Sequence, residues 1–352
     1  MTGPTEEERM RVLVTGGSGF VGSHTVAALH RDGHRLRLLA RDPARVRPAL
    51  TPLGVDPGEI EVACGEVTDA DDVAAAVAGC DAVLHAAGVY SFDPRQHRRM
   101  RAVNVRGTEV VLAAARAAAV DRIVHVSTFG ALLPCGAGPV TPDTPVGAPR
   151  ETYLASKAAA DAIARRHQAE GAPVLISYPP AVLGPHDPHL GDQTTRIRNA
   201  LRGLMPIWPR GGFPVGDVRD VARLHAALLG SGPRSGRYLG PGAYVDTGEL
   251  LGTLRAVTGR RLPAVRLPAT AMLPVGVLAG LAQHAVPVHI PAEYGAIYTC
   301  RVARPMDTGA TDGLLGTPAR PLAETLADTV RWLHTAGHLS RRLAGRAADP
   351  VG

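Results

Sequence analysis

The chain has 352 residues, of which 45% are hydrophobic, 20% charged and 4% aromatic, with a formal net charge of +6. Such a composition is that of a globular protein, and the length suits about two domains, or one large α/β unit with an added lobe. The scarcity of aromatic residues argues against stacking on single-stranded nucleic acid, and the scattered arginines (Arg95, Arg98, Arg99, Arg101, Arg341, Arg342, Arg346) read as a solvated surface, not a nucleic-acid face.

Residues 1–9 are polar and acidic, lack the apolar segment of a secretion signal, and are expected to be a frayed extension. The apolar run Arg11-Val12-Leu13-Val14 then leads into Thr15-Gly16-Gly17-Ser18-Gly19-Phe20-Val21-Gly22, and a helical pattern follows over Ser23–Arg31. Strand, glycine turn and helix start are what a dinucleotide pyrophosphate requires. Missing side chains let the backbone approach the phosphates, and the helix N-terminus offers free N–H groups. Without its flanks, such a pattern would mean only a tight turn.

Apolar runs alternate with helical patterns from there on, the mark of a parallel sheet with crossover helices. Strands are expected at Leu36–Ala40, Glu61–Cys64, Ala82–His85, Arg122–Val126 and Val174–Ser177, with helices at Val73–Ala78, Gln96–Ala119 and Glu151–Ala169. After the second strand come Arg41 and Asp42, with Arg37 and Arg45 nearby. An acid here would favour NAD and an arginine the 2′-phosphate of NADP. Asp42 precedes Pro43 and suits a turn, so Arg41 is the expected reader of the phosphate.

Open α/β sheets bind ligands beyond the carboxyl ends of their strands. Glu66 and Val67 there are expected to face the adenine, and Ala86, Ala87 and Gly88 to let the ribose approach. His85 reads as a strand-end histidine of the core. Ser127 and Thr128 place hydroxyls on the same edge. In Tyr153-Leu154-Ala155-Ser156-Lys157, tyrosine and lysine are four apart and share a helix face. A neighbouring ammonium and an oxidised nicotinamide are expected to lower the phenol from its usual value near 10.

Leu267–Ala292 carries no charged residue but holds four prolines, Pro268, Pro274, Pro287 and Pro291. A membrane span needs an unbroken helix, so two short buried helices of a hydrophobic substrate lobe are expected. The cysteines Cys64, Cys80, Cys135 and Cys300 show no metal-ligand spacing. They read as reduced thiols of a cytoplasmic protein, and no metal site is expected.

Taken in order, T-G-G-S-G-F-V-G (Thr15–Gly22), H-A-A-G (His85–Gly88), N-V-R-G-T (Asn104–Thr108), S-T (Ser127–Thr128), Y-L-A-S-K (Tyr153–Lys157), Pro180–Pro185 and V-R-D-V-A (Val218–Ala222) resemble an extended short-chain dehydrogenase/reductase of the NAD-dependent epimerase/dehydratase family. The resemblance spans about Met10–Leu333 and implies an α/β fold, a Rossmann-type doubly wound parallel sheet with a smaller, mostly C-terminal substrate lobe. Residues 10–185, rejoined by 214–240, would form the core. Residues 186–213 and 241–337 would form the lobe, and 1–9 and 338–352 flexible tails.

The resemblance also implies Tyr153 as acid/base, Lys157 on the nicotinamide ribose and Thr128 on the substrate oxygen. The cofactor-binding set is then Gly16, Ser18, Gly19, Phe20, Val21, Gly22, Arg41, Glu66, Val67, Ala86, Ala87, Gly88, Asn104, Pro180 and Val182. Sugar dehydratases carry an acidic pair after the Ser/Thr, where this chain has Phe129-Gly130. Sugar epimerases carry Arg and Asn where it has Tyr178 and Ala181. It looks more like the dihydroflavonol-reductase and 3β-hydroxysteroid-dehydrogenase branch. The expected activity is therefore an NADP-preferring (alternatively NAD-using) oxidoreductase on a ketone or secondary alcohol of an apolar small molecule. The alternatives are a nucleotide-sugar epimerase and a non-catalytic NAD(P)-sensing protein. By family analogy, helices Gln96–Ala119 and Glu151–Ala169 offer a homodimer face. Substrate determinants are expected in Leu132–Arg150, His186–Phe213 and Val265–Arg304.

Overall fold

A computed structural model describes residues 9–90, 94–230, 232–274 and 294–349. Its strands and helices alternate along the first half of the chain: β1 (Arg11–Thr15), α1 (Phe20–Arg31), β2 (Arg35–Ala40), α2 (Val46–Leu50), β3 (Glu61–Cys64), α3 (Ala70–Val77), β4 (Ala82–His85), α4 (His97–Arg101), α5 (Gly107–Ala117), β5 (Arg122–Val126), α6 (Thr152–Ala169) and β6 (Val174–Tyr178). The remainder is β7 (Ala181–Leu183), α7 (Asp192–Leu201), β8 (Ile207–Arg210), β9 (Gly212–Asp217), α8 (Val218–Leu229), β10 (Gly236–Leu239), β11 (Ala243–Asp246), α9 (Thr247–Thr258) and β12 (Val265–Pro268). Helices Tyr294–Val302, Gly309–Leu315, Leu322–Thr335 and Arg341–Ala344 follow.

Seven strands form one parallel sheet in the order β10-β6-β5-β4-β1-β2-β3. β1 pairs with β2 on one side and β4 on the other, so the winding reverses there and opens a crevice at the strands' carboxyl ends. The continuous apolar runs of β1 and β4 belong to strands covered on both faces. Val12, Val14 and Leu84 pack towards α1 and α8, while Leu13 and Val83 pack towards α3, α5 and α6. This is the doubly wound fold anticipated above.

The helix expected over Gln96–Ala119 is interrupted: α4 and α5 are joined by a π-helical turn at Ala102–Arg106. β9 lies outside the main sheet in a three-stranded one, β11-β9-β7, and β8 pairs with β12 alone. These short strands surround a second core holding Phe129, Trp208, Phe213, Leu254, Leu326 and Val330. Asp217 fastens this part to α8. It accepts from Arg219 N at 2.8 Å and from Thr325 Oγ1 at 2.8 Å, and Arg219 pairs onward with Asp328 at 2.8 Å.

The free tail expected from residue 338 is not what forms, because Leu339, Ala344 and Ala347 are buried in the second core. Leu343 and Ala348 pack on the same core, so the apolar positions 343, 344, 347 and 348 recur at helical spacing, but three of the four are alanines set among arginines and give a weak signal. Of the uncharged stretch Leu267–Ala292, residues 275–292 lie outside the described residues, and with them most of the two helices expected there. Among described residues no helix is long and apolar enough to cross a membrane.

Three histidines are buried between layers and satisfied by neutral partners. His85 sits between Thr15 and Thr108 (2.8 and 3.0 Å), His225 between Thr25 and Ser177 (3.0 Å each), and His24 donates to Pro185 O (3.0 Å). Burial lowers their pKa values to about 3, 3 and 4. Folded values below the unfolded 6.5 mean that the unfolded chain takes up protons first. Their contribution is therefore complete above pH about 6.5 and is lost as pH falls towards 4, at up to about 1.4 kcal/mol per histidine per pH unit. Urea denaturation is expected to show a lower midpoint at pH 5 than at pH 7.5; an equal or higher midpoint at pH 5 would contradict this.

Candidate functional site

The crevice at the sheet's reversal is floored by the glycine turn. Gly16 has φ +74°, and a Cβ there would meet Ala87 N at 2.6 Å and Ala86 C at 2.7 Å. A Cβ on Gly22 would stand 2.1 Å from Gly16 O. Gly19 donates to Gly16 O at 2.9 Å and caps α1 with no side chain, and the first turn of α1 carries no acid. The N–H groups of the first turn thus face the crevice with their partial positive charge unopposed. This cradle, which a methyl group would fill, fits a dinucleotide pyrophosphate.

Around it a single cleft of about 1040 Å³ is lined by Gly16, Ser18, Gly19, Phe20, Val21 and Gly22, by Arg41, Glu66 and Val67, by Ala86, Ala87 and Gly88, by Pro180 and Val182, and by Thr128, Tyr153 and Lys157. Asp42 accepts from Ala44 N at 3.2 Å and pairs with Arg45 at 3.2 Å, so its carboxylate is taken up by the turn it starts. Arg41 is exposed at the cleft edge and forms no ion pair among the described residues. Arg37 belongs elsewhere. It pairs with Glu61 at 2.8 Å and donates to Ala76 O and Ala78 O.

Asn104 is the one member of the expected cofactor set that does not line the cleft. It is buried in the π-helical turn, where Oδ1 accepts from Val89 N (2.7 Å) and Nδ2 donates to Val89 O (3.0 Å) and Ser156 Oγ (2.9 Å). Ser156 in turn donates to Tyr153 O at 2.7 Å. The side chain's hydrogen bonds are spent on tying the loop after β4 to α6. A π-turn, which displaces one residue out of helical register, makes this reach and left no periodic signal.

Glu151 caps α6 by accepting from Tyr153 N (2.9 Å) and Leu154 N (2.8 Å), which fixes where the helix begins. One turn later Lys157 is buried and donates to Val126 O at 2.9 Å, holding α6 against the end of β5. Burial lowers its ammonium to about 8, opposed by Asp161. For Tyr153 the protein by itself, without the oxidised nicotinamide that the expected lowering includes, acts in the upward direction. Burial first, then the charges of Glu151 and Asp192, push its phenol well above the usual 10. In the protein alone the phenol is held protonated. Tyr90 packs edge-on against it, ring centroids 4.3 Å apart. Thr128 caps the turn Phe129–Leu132, accepting from Gly130 N at 3.3 Å.

The lobe's arm of the cleft is lined by Leu204, Met205, Ile207, Trp208, Phe213, Leu267, Met272 and Ile297, and also by Asp187, His189, Asp192, Gln193, Thr194, Arg196, Thr247 and Thr299. Residues 132–150, expected among the substrate determinants, do not line it. Pro134, Cys135, Ala148 and Arg150 border a separate cavity of about 490 Å³ with Leu273, Tyr294, Tyr298 and Arg301. Tyr178 is interior: its hydroxyl donates to Asp161 Oδ2 at 3.2 Å and accepts from Arg165 at 2.9 Å. Asp192, Tyr90 and Ile297 carry no motif, and only the fold brings them to the cleft.

The model of the NAD dependent epimerase/dehydratase family matches residues 12–239. The chain is 28% identical over 334 residues to sterol demethylase protein B of Methylococcus capsulatus, covering 93% of this chain and 99% of that protein. It is 32% identical over 265 residues to cinnamoyl-CoA reductase 1 of Oryza sativa subsp. japonica, covering 72% and 77%. Among solved structures it is similar to gox2253, with a TM-score of 0.78 and 26% identity over 94% of this chain and 100% of the other. It is also similar to DesIV, a dTDP-glucose 4,6-dehydratase from Streptomyces venezuelae solved with NAD and TYD bound, with a TM-score of 0.71 and 26% identity over 94% and 98%.

Gly22→Ala is expected to force α1 away from the turn and weaken dinucleotide affinity by roughly tenfold or more, about 1.4 kcal/mol. Fluorescence titration with NADPH checks this. Unchanged affinity would separate the glycine turn from cofactor binding.

Proposed function

The chain belongs to the NAD dependent epimerase/dehydratase family as an NAD(P)-dependent enzyme of the extended short-chain dehydrogenase/reductase type, and from that premise we propose an NADP-preferring reductase/dehydrogenase for a ketone or secondary alcohol of an apolar small molecule. The observation that carries this is the single cleft joining the glycine turn, the Thr128, Tyr153 and Lys157 side chains, and an arm with predominantly apolar walls. Burying a diphosphate against such walls would leave its charges poorly paired, at a cost of several kcal/mol. A ring system or acyl chain there gains roughly 25 cal/mol per Å². In this proposal residues 10–185, rejoined by 214–240, form the cofactor-binding core, and 186–213 with 241–337 form the substrate-binding lobe. The homodimer face lies on α5 and α6.

The N–H groups at the start of α1 hold the pyrophosphate, and Arg41 takes the 2′-phosphate that Asp42, engaged in its own turn, does not repel. The bound nicotinamide supplies or accepts the hydride. Thr128 donates to the substrate carbonyl oxygen. Tyr153 gives its phenolic proton to that oxygen in reduction and takes it back in oxidation. The phenol, raised by burial and then by Glu151 and Asp192, carries the proton that reduction of the carbonyl requires. Lys157, lowered to about 8, still carries its charge there and lies on the same face of α6 to hold the ribose and stabilise a phenolate once formed.

A sugar-dehydratase reading is less well supported. The chain after Thr128 carries Phe129, which is buried, and Gly130 where an acidic pair would stand, so no carboxylate is supplied there. The reductase named among the relatives supports net redox chemistry, as does the apolar arm.

Arg41→Ala is expected to weaken NADPH roughly ten- to a hundredfold, from loss of a charge-assisted bond of about 1.5–3 kcal/mol, and to change NADH affinity little. Equal losses for both cofactors would remove Arg41 as the phosphate reader. Tyr153→Phe is expected to lower carbonyl turnover by about 10²–10⁴ while NADPH binding stays within a few-fold. Turnover near that of the parent would take Tyr153 out of the mechanism.

A further inference from the structure

Of the 38 lysine and arginine residues in the chain, Lys157 alone is lysine. A guanidinium keeps its charge at any pH the protein meets, whereas a buried ammonium can lose its proton. Among these cations only Lys157 therefore depends on its surroundings for its charge. It stands in a column on the inner face of α6. Tyr153, Lys157, Asp161 and Arg165 follow one another four residues apart, which sets each one turn beyond the last. The column runs phenol, ammonium, carboxylate, guanidinium. Lys157 and Asp161 are both buried, Asp161 completely. The far end is fixed. Asp161 Oδ2 accepts from Arg165 Nε at 2.9 Å and from the Tyr178 hydroxyl at 3.2 Å, and Arg165 donates onward to that hydroxyl and to Thr144 O, each at 2.9 Å.

A wholly buried carboxylate is costly unless cations face it. Asp161 has one on each side, one turn away along the helix. Burial raises its carboxyl, and Arg165 is the first of the groups that oppose this. No other ionised group takes its place beside Lys157. From the sheet, His85 on β4 and His125 on β5 face the ammonium, but burial first and then the ammonium itself lower both, so they stay neutral. Tyr178 on β6 is engaged with Asp161 and Arg165. From α5, Glu109 and Arg116 meet α6 at the solvent-exposed Arg166 and Glu170. The arginines of α4 and the π-helical turn, Arg98, Arg99, Arg101 and Arg106, are exposed. For Tyr153, burial and then Glu151 and Asp192 act upward. Burial lowers Lys157 to about 8, and Asp161 is the charge that opposes it.

We propose that Asp161 is a positioning residue of the reaction, the buried counter-charge that keeps Lys157 an ammonium while it holds the cofactor ribose and stabilises the Tyr153 phenolate. Its part in turnover rests on the proposed carbonyl chemistry; its pairing with Lys157 does not. The phenol of Tyr153 lies well above 10, so as pH rises Lys157 gives up its proton first and sets the alkaline limb of turnover. Without the carboxylate's charge, burial acts unopposed on the ammonium, and the limb moves to lower pH.

NMR titration of the full chain, labelled isotopically at lysine Cε, tests it directly, because the sole lysine gives a single resonance. The titration is run with and without NADPH. Asp161→Asn is expected to lower the midpoint by about one pH unit or more, and the alkaline limb of kcat/KM for a ketone to fall with it. Tyr178→Phe breaks into the same network but keeps the charge, so its midpoint should stay near that of the parent. If the unpaired Arg165 keeps Asp161→Asn from folding, the double variant Asp161→Asn/Arg165→Gln leaves no ion unpaired there and should show the same lowering. A midpoint unchanged on loss of the carboxylate, or one that falls as far in Tyr178→Phe, would overturn the pairing. A limb that stays in place while the midpoint falls would overturn the role in turnover. Failure to reduce any ketone, with the midpoint still lowered in Asp161→Asn, would overturn the carbonyl reading and leave the pairing established.

Discussion

The approach of α1 to the turn that precedes it is the constraint on which the rest of the molecule depends. With Gly16 O where a Cβ on Gly22 would stand 2.1 Å away, and Gly16 itself against Ala86 and Ala87, helix, turn and neighbouring strand end meet with no side chain between them. That contact sets the crevice between β1 and β4, and the crevice sets where the remaining strand ends deliver their residues. Arg41 follows β2, Glu66 follows β3, Ala86 to Gly88 follow β4 and Thr128 follows β5. They share one cleft because parallel strands all end on the same edge.

A second layer of constraint is polar and buried. Glu151 starts α6, Lys157 pins it to Val126 O, and Asn104 ties Val89 to Ser156, whose hydroxyl reaches Tyr153 O. Tyr153 is thereby positioned from its backbone on both sides of the helix start. Buried hydrogen bonds of this kind are costly to leave half made, so the network favours one placement of the phenol over several. The same surroundings raise the phenol above its usual range, first through burial and then through Glu151 and Asp192.

Much of the fold was legible because its signals are local. Apolar runs such as Val12–Val14 and Ala82–Leu84 declare covered parallel strands, and a glycine turn between strand and helix declares the crevice. The second core was not legible. β7 has three residues, β8 carries Pro209, and Ala344 and Ala347 are small side chains in an arginine-rich segment, so tertiary packing is what makes elements or core of them. For the candidate site, residue types at strand ends announced the cleft, whereas Asn104 needed the π-turn to show that its bonds face inward. The raised phenol of Tyr153 comes first from burial and then from Glu151 and Asp192, and no spacing rule connects Asp192, 39 positions later in the sequence, to it.

The central claim is that hydride passes in this cleft between a nicotinamide and the carbonyl carbon of an apolar molecule. The direct measurement incubates the protein with NADPH deuterated at both C4 positions and a panel of hydrophobic ketones, and reads the product alcohols by mass spectrometry. The predicted result is a single deuterium on the carbinol carbon. Recovery of every ketone unlabelled and unreduced, while a nucleotide sugar is epimerised with no net consumption of cofactor, would contradict it.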